Sequence, residues 1–523
     1  MSDATATAST PNRDESHRGR FQRRLLTVLL LVGLFLYSGL IGMRIGAYAS
    51  GSDSSGYLNV ARLLSQGKIV VNQRLVPGVP ATDRSYLYVP LGFRSIDTKH
   101  MVATYPIGLP FLITIASFLC SWSYAAKWVM WAHALAGAIL MYALGRQCRL
   151  PPGWSALAAL ILAMSPLYVD FSLVLMSDVP AAVWVMAAMT CALRGREHTG
   201  WALAAGALTG YAVLIRPSNL LVALPAMLAI GGSPRRLVAY LVGGMPLAIV
   251  HVAYNTAAHV SLVSGGYGDV SELFRWSNVG PTLAHYGKWL PILLTPLAVL
   301  ALGLPLLWRR HGRLVLVLAA WILVYVTFYV SYAFTHETWW YLRFLLPAFP
   351  AIAAAALLVA RAGLEYLNVV RFLPAGSLRA WSAGFAATAL LFGFDFHWNA
   401  ELSTFGSGDG ERNYPDAVAW LQREAHPRAV IFAMQMSGSL YYYSGYIVVR
   451  WDSIDAQNFA QITATAAAAS RPVYALLKPY DIEQIRERHE LFGTWTKLGA
   501  AHDTELWRYE GGTSDPFVLR ETR

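Results

Sequence analysis

Gly51-Ser52-Asp53-Ser54-Ser55-Gly56-Tyr57 stands just after the first long apolar run of the chain, and Thr104-Tyr105-Pro106-Ile107-Gly108-Leu109-Pro110 closes the polar stretch that it opens. Beyond that stretch the sequence is mostly hydrophobic. An acidic residue at the foot of a membrane helix, followed by a long polar loop, is where chemistry at a membrane surface would sit. Working outward, the chain has 523 residues, of which 56% are hydrophobic and 14% charged. A soluble protein carries nearer a quarter charged residues, so this composition describes a polytopic membrane protein. The net charge of +11 does not point to nucleic acid, because much of the Arg lies in short loops between apolar runs, where it sets topology. Cys120, Cys148 and Cys191 lie in or beside apolar runs without CxxC spacing, which argues against a disulfide framework and a zinc site.

Residues 1–24 read as a disordered cytoplasmic tail, rich in Ser, Thr and Ala and ending in Arg18, Arg20, Arg23 and Arg24. A signal peptide cut after Ala47-Tyr48-Ala49 is the bland alternative, but the apolar run Leu25 to Met43 is long enough to span. Ser54 to Gln66 has the apolar spacing of an interfacial helix, and Ile69 to Met101 shows no clear period. Further spans are expected at residues 124–144, 154–169, 181–193, 201–215, 220–230, 238–254, 289–308, 314–334, 342–360 and 381–396. Arg146 and Arg149, Arg194 and Arg196, Arg235 and Arg236, and Arg309 and Arg310 then all fall in loops on one side, as the positive-inside rule requires. That register holds only if Ile107 to Cys120 stays on the outer side as a juxtamembrane or re-entrant helix, giving about eleven spans in all. The N-terminus is expected inside. The membrane domain is expected over residues 25–397, with its first outer loop over 51–121. Residues 398–523 turn soluble, with strands alternating with helices, and read as a small outward-facing α/β domain that lacks a Gly-rich phosphate fingerprint.

Ionisable groups beside a membrane are costly and default to functional hypotheses. Asp53, Asp178, Arg216, His336, Glu337 and Arg343 all fall at outer helix ends in this register. Glycosyl transfer needs a carboxylate to take the proton from an acceptor hydroxyl, and cations to hold a departing phosphate. Asp53 suits the first role; Arg216 and Arg343 suit the second. Lys99, His100, Arg84 and Arg94 are further phosphate candidates that a solvated loop explains equally well. Asp178 precedes Val179-Pro180 and is also placed to N-cap the following helix. Asp170 reads as interfacial, and His133 and His251 as hydrogen-bonders between helices. Asp269, Glu272, His285 and Lys288 mark an outer loop that could gate or read an acceptor.

The sequence resembles the GT-C superfamily of lipid-phosphate-sugar-dependent glycosyltransferases, among them bacterial relatives of protein O-mannosyltransferases and of the lipid A aminoarabinose transferase. Asp53 with Tyr57, Tyr105-Pro106-Ile107-Gly108-Leu109-Pro110, Ser177-Asp178-Val179-Pro180, Arg216-Pro217 and Tyr341-Leu342-Arg343-Phe344-Leu345-Leu346-Pro347 carry the resemblance, in that order along the chain. It implies a GT-C-type helical bundle in a bacterial inner membrane, with the C-terminal domain periplasmic. It further implies a polyprenyl-phosphate sugar donor and a lipid, glycan or protein acceptor on the periplasmic face. Asp53 maps to the family's essential acid and Asp178 to a second one, with Tyr57, Tyr105, His336 and Glu337 as substrate contacts. Aminoarabinose transferases place a Lys before paired prolines where this chain has Thr104-Tyr105-Pro106-Ile107, so the phosphate contact there is expected from Lys99 or Arg216. No cofactor is expected, and no carboxylate/His cluster forces a metal, though a divalent ion stays open.

A transporter or flippase is the main rival. It predicts charge at mid-bilayer, broken helices and internal repeats, whereas the charges here sit at helix ends and no repeat is detected. An O-antigen ligase or polymerase is a second rival, which would not need an acidic loop directly after the first helix.

Overall fold

The computed structural model describes residues 13–81, 86–259, 270–367, 369, 377–488, 491–516 and 518–521. Residues 1–12, Arg84 and Asp269 lie outside the described residues. Helix α1 runs Arg13–Arg44, so the basic stretch assigned above to a tail is helical from Arg13 onward and leads straight into the apolar run. After it come α2 (Asp53–Ser65), α3 (Gly108–Leu119), α4 (Trp122–Gln147), α5 (Pro152–Met164), α6 (Pro166–Leu173), α7 (Asp178–Arg194) and α8 (Thr199–Ile215). Helical segments Pro217–Ile230, Pro234–His259, Val279–Leu293, Pro296–Leu307, Trp308–Tyr329, Trp339–Tyr366 and Leu378–Glu401 follow.

All eleven expected spans fall on helix, wholly or for most of their length. By length and composition, five described helices can cross a membrane: Arg24–Arg44, Trp122–Gln147, Pro234–Ala258, Pro296–Tyr329 and Trp339–Tyr366. A sixth is added if α5 and α6 count together across their 56° bend. That bend is a broken helix absent from the sequence reading. It falls at Ser165-Pro166, where proline cannot donate to the helix ladder and the Ser165 hydroxyl caps the Tyr168 amide instead. Helix α3 has 12 residues, about 18 Å of rise, well short of a bilayer core. Helices α7 and α8 pack on each other, and Trp321 donates to the Pro347 carbonyl at 3.0 Å inside the largest apolar core.

Several of the arginines expected on the inner face gather at one end of this bundle. Glu365 pairs with Arg310 at 2.7 Å and Arg361 at 2.9 Å, and Arg361 donates to the Arg149 carbonyl at 3.1 Å. Arg310 and Arg361 come from the helical segments Trp308–Tyr329 and Trp339–Tyr366, and Arg149 follows α4, so three distant parts of the chain meet here.

Helix α2 departs from the expectation of an interfacial helix. Residues 54–61 are all buried, polar Ser54, Ser55 and Asn59 included. The cause is the C-terminal domain, which lies over it. Asn59 donates to the Gly438 carbonyl at 3.2 Å, and the Arg62 guanidinium stacks on the Tyr442 ring at 3.8 Å while donating to the Tyr442 carbonyl. The 69–101 stretch holds three short strands, β1 (Val70–Asn72), β2 (Phe93–Ser95) and β3 (His100–Ala103), in the antiparallel order β1-β3-β2. At three or four residues each they are too short to show a period.

The C-terminal domain is a six-stranded sheet in the order β5-β4-β6-β8-β7-β9, built from β4 (Val430–Phe432), β5 (Ile447–Val449), β6 (Val473–Leu477), β7 (Phe492–Ala501), β8 (Thr504–Pro516) and β9 (Val518–Glu521). Strands β4, β5 and β6 are parallel, with helices between them, and β7 and β8 form an antiparallel pair. A helix at Ser437–Tyr443 went unread in the sequence; at seven residues it is too short for a helical period. The domain's core is not its own: Val76, Val79, Leu87 and Tyr88 of the stretch between α2 and α3 are buried with Phe432, Trp451, Phe459 and Trp495.

Candidate active site

Asp53 opens α2, directly after Gly51, which turns the chain with φ +48°. Its Oδ1 accepts a hydrogen bond from the Tyr105 hydroxyl at 2.7 Å, and Ser52 Oγ lies 2.7 Å from the same hydroxyl. Tyr105 takes this position because Gly56 leaves room: a Cβ there would lie 2.1 Å from the Tyr105 ring. The Tyr57 ring tilts against Tyr105 with centroids 4.8 Å apart, and its hydroxyl donates to Ser177 Oγ at 2.8 Å. Burial, then the nearby Asp53, pushes the Tyr57 hydroxyl above its usual pKa, so it stays a neutral donor.

Ser177 accepts a second hydrogen bond, from Arg216 Nε at 2.8 Å, and Arg216 also meets Asp178 Oδ1 at 2.9 Å. Asp178 is the first residue of α7, and no side-chain capping bond is made at that terminus. The capping expectation for Asp178 is therefore overturned: its carboxylate, with 0% side-chain exposure, faces Arg216 instead. Arg216 ends α8, where the chain leaves the helix in extended conformation ahead of Pro217.

Arg343 completes the group. Its guanidinium stands 3.8 Å from Asp53 Oδ2 and 3.9 Å from Asp178 Oδ1, within ion-pair range but beyond hydrogen-bond length. Its Nε is buried and has no hydrogen-bond partner among the described residues. The rings of Phe171, Tyr341 and Phe344 surround it at 5.4, 5.4 and 5.5 Å, holding the cation in place. Two acids, two arginines and two tyrosines from five separate stretches thus converge. The two acids differ: the Asp53 side chain is 33% exposed, whereas Asp178 is sealed. An open carboxylate can meet a substrate; a sealed one is suited to orienting arginines. Arg343 meanwhile offers donors to an incoming anion.

Other expected residues lie elsewhere. Lys99 and His100 are bound up with Asp97: both backbone amides donate to its Oδ1 at 2.7 Å, and the His100 ring lies 2.8 Å from its Oδ2. The Lys99 amide, then the His100 ring, holds the Asp97 carboxyl down at about 2. Neither residue reaches the Asp53 cluster in any described contact, whereas Arg216, the other residue expected to supply the phosphate contact, stands with Asp178 and Ser177. What fills the position of the missing Lys is Tyr105, which serves Asp53. His336 and Glu337 line a separate cleft. Asp170 accepts from Ser407 Oγ of the segment leading to the C-terminal domain. His133 accepts from Trp184 Nε1 at 3.0 Å across two helices, as expected, but His251 bonds Asn255 within its own helix. Ser177, Ser52 and Phe171 were missed as site residues. Ser177 had a signal, since it sits in the Ser177-Asp178-Val179-Pro180 motif. Among the described residues no three His, Cys, Asp or Glu converge as a metal site.

No family model matches the chain, and no curated protein does. Solved structures do. ArnT from Cupriavidus metallidurans, in a crystal structure bound to undecaprenyl phosphate, superposes with a TM-score of 0.57 at 15% identity, over 94% of this chain and 99% of that one. The Archaeoglobus fulgidus oligosaccharyltransferase in its apo form gives 0.53 at 11% identity, over 95% of this chain and 75% of that one. The archaeal oligosaccharyltransferase AglB from the same organism, in complex with an inhibitory peptide and a dolichol-phosphate, gives 0.52 at 10% identity, again over 95% and 75%. In fold, over nearly its whole length, the chain resembles ArnT and the archaeal oligosaccharyltransferase.

Proposed function

We propose that the chain is a membrane glycosyltransferase that moves one sugar from a polyprenyl-phosphate donor to an acceptor on the periplasmic face of a bacterial inner membrane. The observation that carries this reading is Arg343, a caged cation with an unpartnered Nε set between the two acids. The donor phosphate sits against Arg343 and Arg216, whose charges offset the negative charge that builds as the phosphate leaves. Asp53 takes the acceptor proton as general base, with Tyr105 fixing the carboxylate. Asp178 orients both arginines. Two structures sharing the fold hold a polyprenyl phosphate, which supports the same donor class here. The acceptor is a lipid, a glycan or a protein, and the C-terminal domain lies on the same outer side as the site. The test is release of free polyprenyl phosphate by the purified protein from a panel of polyprenyl-phosphate sugars. Release with one donor supports the reading; none across the panel with any acceptor class removes it. Topology is checked by labelling a Ser121→Cys protein. Labelling only from the cytoplasm would put α3 across the membrane and split the site.

A further inference from the structure

A second cluster lies beside the first. The segment Ser271 to Leu293 is held against residues 331–340 by the Arg275 amide and Asn278 side chain, each 2.9 Å from the Ser331 carbonyl, and by Thr282 Oγ1, 3.3 Å from His336 Nδ1. Between them opens a cleft of about 550 Å³. His285, Lys288 and His336 line it, with a single carboxylate, Glu337, and the rings of Trp339 and Trp340. An aromatic path joins the cleft to the arginine cage: Trp340 to Tyr341 at 6.3 Å between ring centroids, then Tyr341 to Arg343 at 5.4 Å.

We propose that this cleft is the acceptor subsite and that it takes the headgroup of a saccharide bearing a negative charge. The inference rests on the glycosyl-transfer reading above. Indole faces suit the C–H faces of a pyranose, and a carboxylate with hydroxyl and imidazole groups suits its hydroxyls. The charge balance selects among sugars. Lys288 brings a cation and the His285 and His336 rings bring N–H donors, against the single Glu337 carboxylate; burial, then His336 and Lys288, disfavours a proton on His285. A bound phosphate or carboxylate would pair with Lys288 and accept from these rings. Tryptophans at an outer helix end are also what a membrane-interface belt provides. A belt does not account for the two buried polar atoms here, His285 Nε2 and Thr338 Oγ1, that lack partners among the described residues. In the reaction, the acceptor oxygen bonds to the anomeric carbon and the bond from that carbon to the donor phosphate oxygen breaks. The electron pair leaves on polyprenyl phosphate, and the hydroxyl proton goes to Asp53.

Binding separates this proposal from the catalytic one. Full-length protein in nanodiscs is titrated calorimetrically with mannose, glucuronic acid, mannose 6-phosphate and inorganic phosphate. The two anionic sugars are expected to bind about tenfold tighter than either mannose or phosphate alone. A His285→Ala/Lys288→Ala protein loses that preference, Glu337→Gln strengthens it, and Asp53→Asn retains it while losing transfer. Equal binding of mannose and the anionic sugars, or phosphate alone binding as tightly as mannose 6-phosphate, overturns the proposal. So does a preference that survives in the double variant. Absence of donor turnover in the native protein, with the binding preference intact, counts against the catalytic reading alone.

Discussion

Asp178 and Arg216 show how burial decides what a charged pair is worth. The pair meets at 2.9 Å with the acid fully enclosed, so removing one partner strands the other in a poor dielectric. Arg216→Ala is expected to destabilise the protein by about 3–5 kcal/mol, and Arg216→Ala/Asp178→Asn to recover most of that loss, read as thermal stability in detergent. Equal stability of the single and double variants would mean the ion pair carries no such load. These charged residues were legible in sequence because charge at a membrane helix end is rare enough to stand out. The serines were not, since Ser177 gains its role from two partners, Tyr57 and Arg216, far away along the chain. His100 shows the limit of such a reading, because a loop histidine looks the same in sequence whether it faces a substrate or, as here, its own Asp97.

At the scale of elements, α2 is a wedge whose position sets Asp53. It is gripped from one side by Gly56 against Tyr105, and from the other by Gly438, where an added Cβ would lie 2.1 Å from Ser55 Oγ. Ala49, just ahead of Asp53, is pinned as well: its amide donates to Tyr443 Oη at 2.9 Å, and its carbonyl accepts from Ser439 Oγ at 2.7 Å. Gly56→Ala must therefore push Tyr105 away from Asp53. Loss of a hydrogen bond to a charged group is worth about 1.5–3 kcal/mol, so turnover is expected to fall by about ten- to a hundredfold. Tyr105→Phe should lose as much turnover without the steric strain. If Tyr105→Phe turns over normally, Tyr105 does not position the base. The helix pattern of the bundle was readable because apolar runs of spanning length are a strong signal. The surroundings of α2 were not, because what buries its polar face comes from Gly438 and Tyr442, contacts that no local period encodes.

The whole molecule is one structure rather than a bundle with an appendage. The stretch between α2 and α3 completes the core of the C-terminal domain, and the segment Thr404 to Gly410 packs on the ends of α1 and α6, Gly46 meeting Gly408 backbone to backbone. The soluble character of residues 398–523 was visible in composition, but this interlocking depends on pairing across more than 300 residues and leaves no mark in sequence. Glu411 lies at the junction, and burial, with Asp170 nearby, pushes its carboxyl up to about 7. A raised folded-state value means that stability is greatest with the proton on and is lost as pH rises from the ordinary carboxylate range through about 7. The melting temperature of the native protein should therefore fall relative to Glu411→Gln between pH 5 and pH 8 by a few degrees, about the scale of 1 kcal/mol or less in a chain of this size. Parallel profiles for the two proteins would contradict a buried, protonated Glu411. The central claim, that Asp53 is the base of a sugar transfer served by two arginines, is tested most directly by one comparison: donor turnover and donor binding by Asp53→Asn against the native protein. Turnover is expected to fall by about 10²–10⁴-fold with donor affinity held within a few fold. Native turnover in that variant would contradict the account.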